Sequence, residues 1–520
     1  MKKKIIINEY NKHKEREINY IPFRYILAIF LVVLETVGVI AVMTLLTMYI
    51  PYFYFAVVLT QFGVSIAIIN RKDNPDYKLP WLFFNMLVPI VGFMLYFMFY
   101  SRKLTKKQSK RIKNLVKQQM EKDDTKEITE VSQDSEIIAS QAVFLNKLSE
   151  SHIYGNTDIR YYTLGEELFA AMVEDLRKAE KFIFMEYFII EEGLFWNTIL
   201  EILKEKVKNG VEVRVVYDDI GCMMTLPGNY HKQLKKFGIK AVPFSRLRGQ
   251  ANNEFNNRSH RKITVIDGKI GFTGGVNIAD EYINKVKKFG HWKDVGLRLE
   301  GEAVNELTRL FLIDYGLNDT KSNDNFMNFY NTEFHEQAGY CIPFGDGPKP
   351  IFEKQVAKTA ILNMLNQAKR YVYITTPYLI IDNELLQALE NAAIRGIDVR
   401  IITPHIPDKK LVFLMTRSNY TCLMNAGVEI YEYEKGFIHA KTYLSDDETA
   451  IVGTINLDYR SLVHHFENGV WIYKHKVIED IKNDFLCTQE KSIKFEKNML
   501  KENLFQRFIR AMVKVFSPLF

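Results

Sequence analysis

The chain has 520 residues, 47% of them apolar and 25% charged, and carries a net charge of +7. That length allows several domains, and so small an excess of cations excludes net charge as an argument for nucleic acid. The four cysteines (Cys222, Cys341, Cys422 and Cys487) are far apart and form no CxxC spacing. This excludes a disulfide framework and a cysteine zinc site, and fits a reducing compartment.

The first hundred residues hold three apolar runs, 25–48, 53–69 and 79–100. A membrane span needs roughly 20 apolar residues, so the first and third are long enough and the second is borderline. The third contains Pro89 and Gly92 and either spans or enters and turns back. Tyr49, Tyr52, Tyr54 and Trp81 lie at the flanks, as interfacial aromatics do. Cations cluster on both sides: Lys2, Lys3, Lys4, Lys12, Lys14, Arg16 and Arg24 before, Arg102, Lys103, Lys106, Lys107, Lys110 and Arg111 after. The pattern predicts an N-terminal transmembrane helical region over residues 1–100, with anionic headgroups facing the cations and the following domain on the cytoplasmic face. Residues 101–140 read as a basic and polar linker.

From about residue 140 the chain alternates helical and strand-like segments, and the order repeats. Helix 167–179, strand 181–190, helix 197–208 and strand 211–217 are matched by helix 356–368, strand 370–381, helix 384–394 and strand 397–403. The alternation predicts an α/β fold of two duplicated lobes, 141–340 and 341–520, each a mixed sheet flanked by helices. The duplication carries a motif. From His260, a Lys follows at the second position, an Asp at the seventh, a Gly at the fourteenth and an Asn at the seventeenth, and the same series starts at His439. Each His and Lys share one face of a strand, and a turn at Asp267–Gly268 or Ser445–Asp446 leads into a second strand.

Two imidazoles and two ammonium groups suffice to exchange a phosphodiester. Lys262 and Lys441 neutralise the anion, and Asn277 and Asn456 add neutral donors. One imidazole attacks phosphorus, and the other protonates the leaving alcohol and deprotonates the incoming one. Asp294 and Glu467 are candidate carboxylates for holding the ring tautomers. Asp267 and Asp446 go with the motif in a supporting role, a salt bridge between lobes being one form of it, with no proton transfer assigned. His291, His464 and His465 read as packing residues. No ligand cluster for a divalent ion is visible, so neither a metal nor another cofactor is expected.

Both motifs match HxKx4Dx6GSxN, the signature of the phospholipase D superfamily, with Gly275 and Thr454 where that pattern usually has Ser. Within it the chain resembles bacterial cardiolipin synthases of the two-motif type, in the stretches MEYFIIEEG, VYDDIG, GHWKDVGLRLEG, TTPYLIIDNELLQAL, INLDYRS and the ending SPLF. The resemblance implies an enzyme of the bacterial cell membrane that makes cardiolipin from two phosphatidylglycerol molecules, through a phosphohistidine on His260 with His439 as acid and base. The residues alone do not separate the two histidines. Hydrolysis, transfer to another alcohol, and a membrane-tethered nuclease are the alternatives, and no nucleic acid is expected because no basic stripe with interleaved aromatics is present. Residues Leu504, Phe505, Phe508, Ile509, Met512, Val513 and Phe516 fall at helical spacing beside Arg507, Arg510 and Lys514. They predict an amphipathic helix that lies at the lipid interface, packs on the lobes, or does both.

Overall fold

The computed structural model describes residues 23–49, 51–99, 106–117, 122–246, 256–331, 339–349, 351–352, 354–499 and 504–519. The expectations for Lys2, Lys3, Lys4, Lys12, Lys14, Arg16, Arg102 and Lys103 lie outside these residues, as do those for the side chains of Arg24 and Lys106.

The apolar N-terminus forms helices Phe23–Tyr49 and Pro51–Ile69. Among the described residues, Pro51–Ile69 is long and apolar enough to cross a membrane, and Phe23–Tyr49 contains the shorter apolar stretch Val33–Leu46. The third run is not one helix. It breaks at Val88 into Pro75–Leu87 and Pro89–Phe99, because Pro89 has no N–H to continue the ladder. These fold back so closely that a Cβ on Gly92 would lie 2.3 Å from the Phe84 carbonyl oxygen. At 13 and 11 residues they are about 20 and 17 Å long, short of the ~30 Å hydrocarbon core. Asn85, buried among apolar side chains, donates to the Gln61 carbonyl and to Ser65 Oγ and so ties the broken run to Pro51–Ile69.

The supposed linker is partly structural. Helix Lys106–Val116 buries Ile112 and Leu115, and Arg111 donates to the carbonyls of Gly316 and Asp319 at the end of helix Val304–Asn318. A cation there meets the negative end of the helix dipole, so Arg111 is engaged inside the protein and not with lipid. Helix Glu136–Ser149 buries Ile138, Ala142 and Leu145 in the core of the second lobe, although it precedes the first lobe in sequence.

The duplicated alternation becomes two mixed sheets. The first lobe contains β1 (Thr157–Tyr162), β2 (Phe182–Tyr187), β3 (Glu212–Asp218), β4 (Lys240–Phe244), β5 (Lys262–Ile266), β6 (Ile270–Gly274), β7 (His291–Lys293) and β8 (Gly296–Gly301). The second contains β9 (Tyr340–Asp346), β10 (Tyr371–Thr375), β11 (Asp398–Pro404), β12 (Glu429–Tyr433), β13 (Gly436–Ile438), β14 (Thr442–Ser445), β15 (Thr449–Gly453), β16 (Glu467–Tyr473) and β17 (Ser492–Lys494). The order β1-β8-β6-β5-β2-β3-β4 is matched by β9-β16-β15-β14-β10-β11-β12, to which β17 is added. In both, a parallel β2–β3–β4 or β10–β11–β12 set joins an antiparallel motif hairpin. Buried alternation on the faces toward the other lobe gives one core shared by Phe184, Ile263 and Leu297 with Tyr373, Val452 and Val470, and each lobe has an outer core of its own.

The C-terminal helix Leu504–Phe516 packs on the second lobe, as one expectation had it, and also on the N-terminal helices. Phe516 packs on Phe83 and Phe84, Val513 on the Ile380–Met415–Tyr459 cluster, and Phe505 and Phe508 stay 70% and 60% exposed. Among the described residues, the three lobe cores contain none before Ile112. Removal of residues 1–100 should therefore leave a cooperative denaturant transition with near-native circular dichroism. A non-cooperative or absent transition would show that the anchor belongs to the catalytic core.

Candidate active site

His260 and His439 stand two residues before Lys262 and Lys441, at the entries to the motif hairpins, and each residue is 6% exposed. A buried imidazole needs an acceptor for its N–H, and in both cases the other lobe supplies it. His260 Nδ1 lies 2.9 and 3.0 Å from the two Glu467 oxygens, and His439 Nδ1 lies 2.7 Å from Asp294 Oδ2. The backbone makes the same exchange. The His260 N–H donates to Phe466, next to Glu467, and the His439 N–H donates to Lys293, next to Asp294. Ser259 bridges Phe466 and β13 pairs in parallel with β7, so each histidine is delivered beside the carboxylate of the opposite lobe. Asn468 Nδ2 donates to Thr273 Oγ1 at 2.8 Å across the same seam.

The four motif cations and bases share one pocket. Lys262 feels the charges of Lys441 and Asp294, and His439 those of Lys262 and Glu467. Lys262 Nζ donates to the His260 carbonyl at 2.6 Å, and Lys441 Nζ donates to the His439 carbonyl and approaches His439 Nδ1 at 2.8 Å. Burial dominates the electrostatics. It pushes His260 down to about 3 and, with Lys441 and Lys262 adding, holds His439 well below the usual histidine range. It lowers Lys262 to about 7 and Lys441 to about 8. The carboxylates differ. Burial raises Asp294 to about 7 against the pull of Lys441, whereas Glu467, which burial alone would raise, is held well below the usual carboxylate range by His260 and His465.

Glu467 is braced on every side. Thr454 Oγ1 donates to Oε2 and Ser461 Oγ to Oε1, and Ser461 Oγ accepts from the Asn456 N–H. The Thr454 hydroxyl is thus directed at the orienting carboxylate. Gly275 has a spatial reason: a Cβ there would lie 2.0 Å from Asp294 Oδ1. Asn277 is engaged on both ends of its amide, accepting from the Ile189 N–H and donating to Tyr282 Oη. Asn456 hydrogen-bonds Asp458, and its Oδ1 has no partner among the described residues.

Asp267 and Asp446 do not join this pocket. They lie at the far ends of the motif strands, five residues or about 16 Å of extended chain from the lysines. Asp267 accepts from the backbone N–H groups of Glu180, Lys181 and Phe182, and Asp446 from those of Lys369, Arg370 and Tyr371. Both have positive φ, at 54° and 59°. Each anchors a neighbouring strand within its own lobe, where a bridge between lobes was one expectation.

Of the rings around the histidines, sequence singled out His465 alone, as a packing residue. Phe188 packs edge-on to His260 at 5.2 Å, Tyr282 and Trp292 lie 5.4 and 5.7 Å from His439, and His465 lies 5.6 Å from His260. Phe188, Trp292 and Ser461 fall within MEYFIIEEG, GHWKDVGLRLEG and INLDYRS, a signal that was available. Ligand atoms of His260, His465 and Glu467 lie within 4.8 Å of one another. The Nδ1 of His260 is bound to Glu467 and both Glu467 oxygens accept hydroxyl protons, so the group is a hydrogen-bonded brace.

Two imidazole–carboxylate–lysine sets, exchanged between duplicated lobes around one pocket, define an enzyme of the phospholipase D type. The profile described as "Cardiolipin synthase, PLD-like domain" matches residues 172–290 and 361–487, one copy in each lobe, and "Phospholipase D-nuclease N-terminal" matches 61–99. The cardiolipin synthase of Halalkalibacterium halodurans is 34% identical over 475 residues, 90% of this chain and 93% of its own length. That of Staphylococcus aureus strain Mu50 is 32% identical over 479 residues, with 88% and 94% covered. An uncharacterized protein of Streptococcus mutans is 40% identical over 469 residues, with 88% and 99% covered. The crystal structure of phosphatidylserine synthase from Haemophilus influenzae Rd KW20 superposes with a TM-score of 0.55 at 17% identity, covering 73% of this chain and 97% of that one, a likeness of fold. The chain belongs to the cardiolipin synthase family of the phospholipase D superfamily.

Asp446→Ala and Glu467→Gln should separate anchor from brace. Losing three amide bonds, Asp446→Ala should lower stability by about 2 kcal/mol in denaturant melts while turnover falls less than about tenfold. Glu467→Gln should cut the rate by about 100-fold or more with a smaller change in stability. The reverse pattern would overturn the assignment.

Proposed function

We propose that this phosphatidyltransferase moves the phosphatidyl group of one phosphatidylglycerol onto a second, giving cardiolipin and glycerol, with His260 as nucleophile and His439 as acid and base. The observation that carries the division of labour is the difference between the two orienting carboxylates. Glu467 is firmly ionised, so the His260 Nδ1–H has one acceptor and Nε2 keeps its lone pair, as a nucleophile requires. Asp294 changes protonation near neutral pH, and Lys441 touches the same nitrogen, so His439 can hold its proton on Nδ1 or on Nε2.

In the first step His260 Nε2 bonds to phosphorus and the glycerol oxygen leaves with the proton from His439 Nε2, while the protonated Asp294 carboxyl passes its proton to His439 Nδ1. In the second, His439 takes the proton of the acceptor lipid's hydroxyl, that oxygen bonds to phosphorus, and the phosphorus–nitrogen bond breaks. Lys262 and Lys441 neutralise the non-bridging oxygens in a site that excludes water. Substrate access fits a membrane reading, in which Pro51–Ile69 crosses the bacterial cell membrane, the broken helix pair dips into it, and the lobes lie on the cytoplasmic face. The apolar length of that helix and the free cysteines support this reading. Phosphatidylglycerol and the bilayer are then the partners.

Purified full-length enzyme on phosphatidylglycerol vesicles should release one glycerol per cardiolipin, with EDTA changing the rate less than about twofold. Phosphatidic acid as the main product would instead identify a hydrolase. His260→Ala and His439→Ala should each lower transfer by roughly 1,000-fold or more, and near-normal transfer by either would refute the two-imidazole route.

The pH dependence follows from the lysines. Each binds phosphate as a cation, and deprotonation in the free enzyme begins at about 7 for Lys262 and about 8 for Lys441. The kcat/KM should fall as pH rises through 7 to 8, and the permanently charged Lys262→Arg should flatten the first part of that limb. A kcat/KM that rises steadily to pH 9 would contradict it.

A further inference from the structure

A cavity of about 800 Å³ opens outside the catalytic pocket, where residues 70–75 between the two membrane-proximal helices face residues 347–349, 352, 354–355 and 358–359 of the second lobe. None of His260, Lys262, His439 and Lys441 lines it. Its volume is that of a ligand site of roughly 300–1,000 Å³, and its lining is cationic. Two of the lining cations have carboxylate partners: Arg71 pairs with Asp73 at 3.5 Å, and Lys358 binds Asp382 and Glu384. That leaves Lys72, Lys349 and Lys354, all exposed and without an ion pair among the described residues, converging on one opening against a single carboxylate charge in excess, where Lys358 faces both Asp382 and the lining Glu384.

The chain enters the cavity lining at Asn70, directly from an apolar helix. Helix Pro51–Ile69 ends at Asn70 with Ile66 and Ile69 exposed by 43% and 58%, and Phe62 by 65%. On the other side the cavity touches Val463. Val463 belongs to the π-helical turn Arg460–His464, which carries Ser461 and leads into Glu467. The two walls are latched: Asn74 donates to Asp382 at 2.8 Å, the Asn383 N–H donates to Asp76 at 2.8 Å, and Tyr77 packs on His464 at 5.4 Å. An anionic group thus finds three cations at the point where an apolar helix surface ends.

We propose that this cavity is a second phospholipid site, separate from the catalytic pocket, in which the phosphodiester of an anionic lipid lies among Lys72, Lys349 and Lys354 while its acyl chains run along Pro51–Ile69. The proposal rests on reading that helix as a membrane helix. Two features favour a lipid over a soluble phosphate: the exposed isoleucines beside the opening and the absence of a buried, unpaired cation that would hold a small ion alone. A lipid held here waits one turn from the residues that brace Glu467.

The test uses full-length protein made inactive by His260→Gln, so that bound lipid is not consumed. Binding of palmitoyl-oleoyl phosphatidylglycerol and of its phosphatidylcholine counterpart is counted by native mass spectrometry from detergent micelles, and flotation with vesicles of both lipids is followed in parallel. The unsubstituted chain should hold one phosphatidylglycerol more than the Lys72→Gln/Lys349→Gln/Lys354→Gln variant, whose affinity at that site should be lower by on the order of tenfold. The corresponding triple Arg variant should restore it, and Lys232→Gln/Lys235→Gln/Lys236→Gln, which removes the same charge from the first-lobe helix Tyr230–Lys236, should change it less than about twofold. Equal loss in that control, or unchanged lipid count in the cavity variant, would overturn the site. Displacement of the lipid by millimolar inorganic phosphate would overturn its assignment to a lipid. Retained lipid binding without flotation would remove the membrane reading alone and leave the headgroup site standing.

Discussion

Each motif imidazole is held by a carboxylate from the lobe to which it does not belong, and the rest of the structure follows from that exchange. Among the described residues the carboxylate bound to the His260 ring is Glu467 of the second lobe and the one bound to the His439 ring is Asp294 of the first, each delivered across the seam by short parallel pairings of backbone. A buried ring whose N–H lacks an acceptor costs on the order of 1–3 kcal/mol, so neither lobe alone contains a satisfied site. Lobe association and active-site assembly are therefore one event. The same exchange accounts for local choices that otherwise look arbitrary, among them the glycine at Gly275 and the hydroxyl of Thr454 turned onto Glu467.

Burial sets the chemistry of the pocket before substrate arrives. Desolvation makes neutral imidazoles of both histidines and leaves both lysines weakly basic, so the empty site resists being charged. A phosphodiester reverses that balance, because its anion stabilises the ammonium groups that hold it. Pseudo-symmetry of fold does not extend to pseudo-symmetry of protonation. Glu467 receives hydroxyl protons from Thr454 and Ser461 as well as the ring N–H, whereas Asp294 has the Val295 N–H and the ring beside a lysine. Two nearly equal sets thereby differ in charge and hydrogen bonding.

The N-terminal helices are part of this machine in a limited sense. They add no residue to the three lobe cores, yet Asn74, Asp76 and Tyr77 fasten them to the turn region of the second lobe, and Phe516 of the C-terminal helix packs on Phe83 and Phe84. The apolar surface left open on Pro51–Ile69 and on Phe505 and Phe508 lies on these attached elements.

Much of the site was legible in the chain because it is local. The spacing from His260 to Asn277 and from His439 to Asn456, the alternation that puts His and Lys on one strand face, and the doubled order of helices and strands all depend on neighbours in sequence. Local physics also explains the turns at Asp267 and Asp446. What the chain could not show depends on distant segments meeting. The partner of each carboxylate, the carriage of Glu136–Ser149 into the second lobe and the engagement of Arg111 at a helix end are long-range contacts that leave no periodic trace. The break at Val88 lay between these cases, since Pro89 and Gly92 signalled a turn without saying how tightly the halves would pack. Sequence by itself thus determined which groups are available and in what local order, because backbone geometry repeats every two or 3.6 residues. Tertiary structure alone decided which of them touch, because burial and charge pairing act through space between residues that the chain keeps far apart.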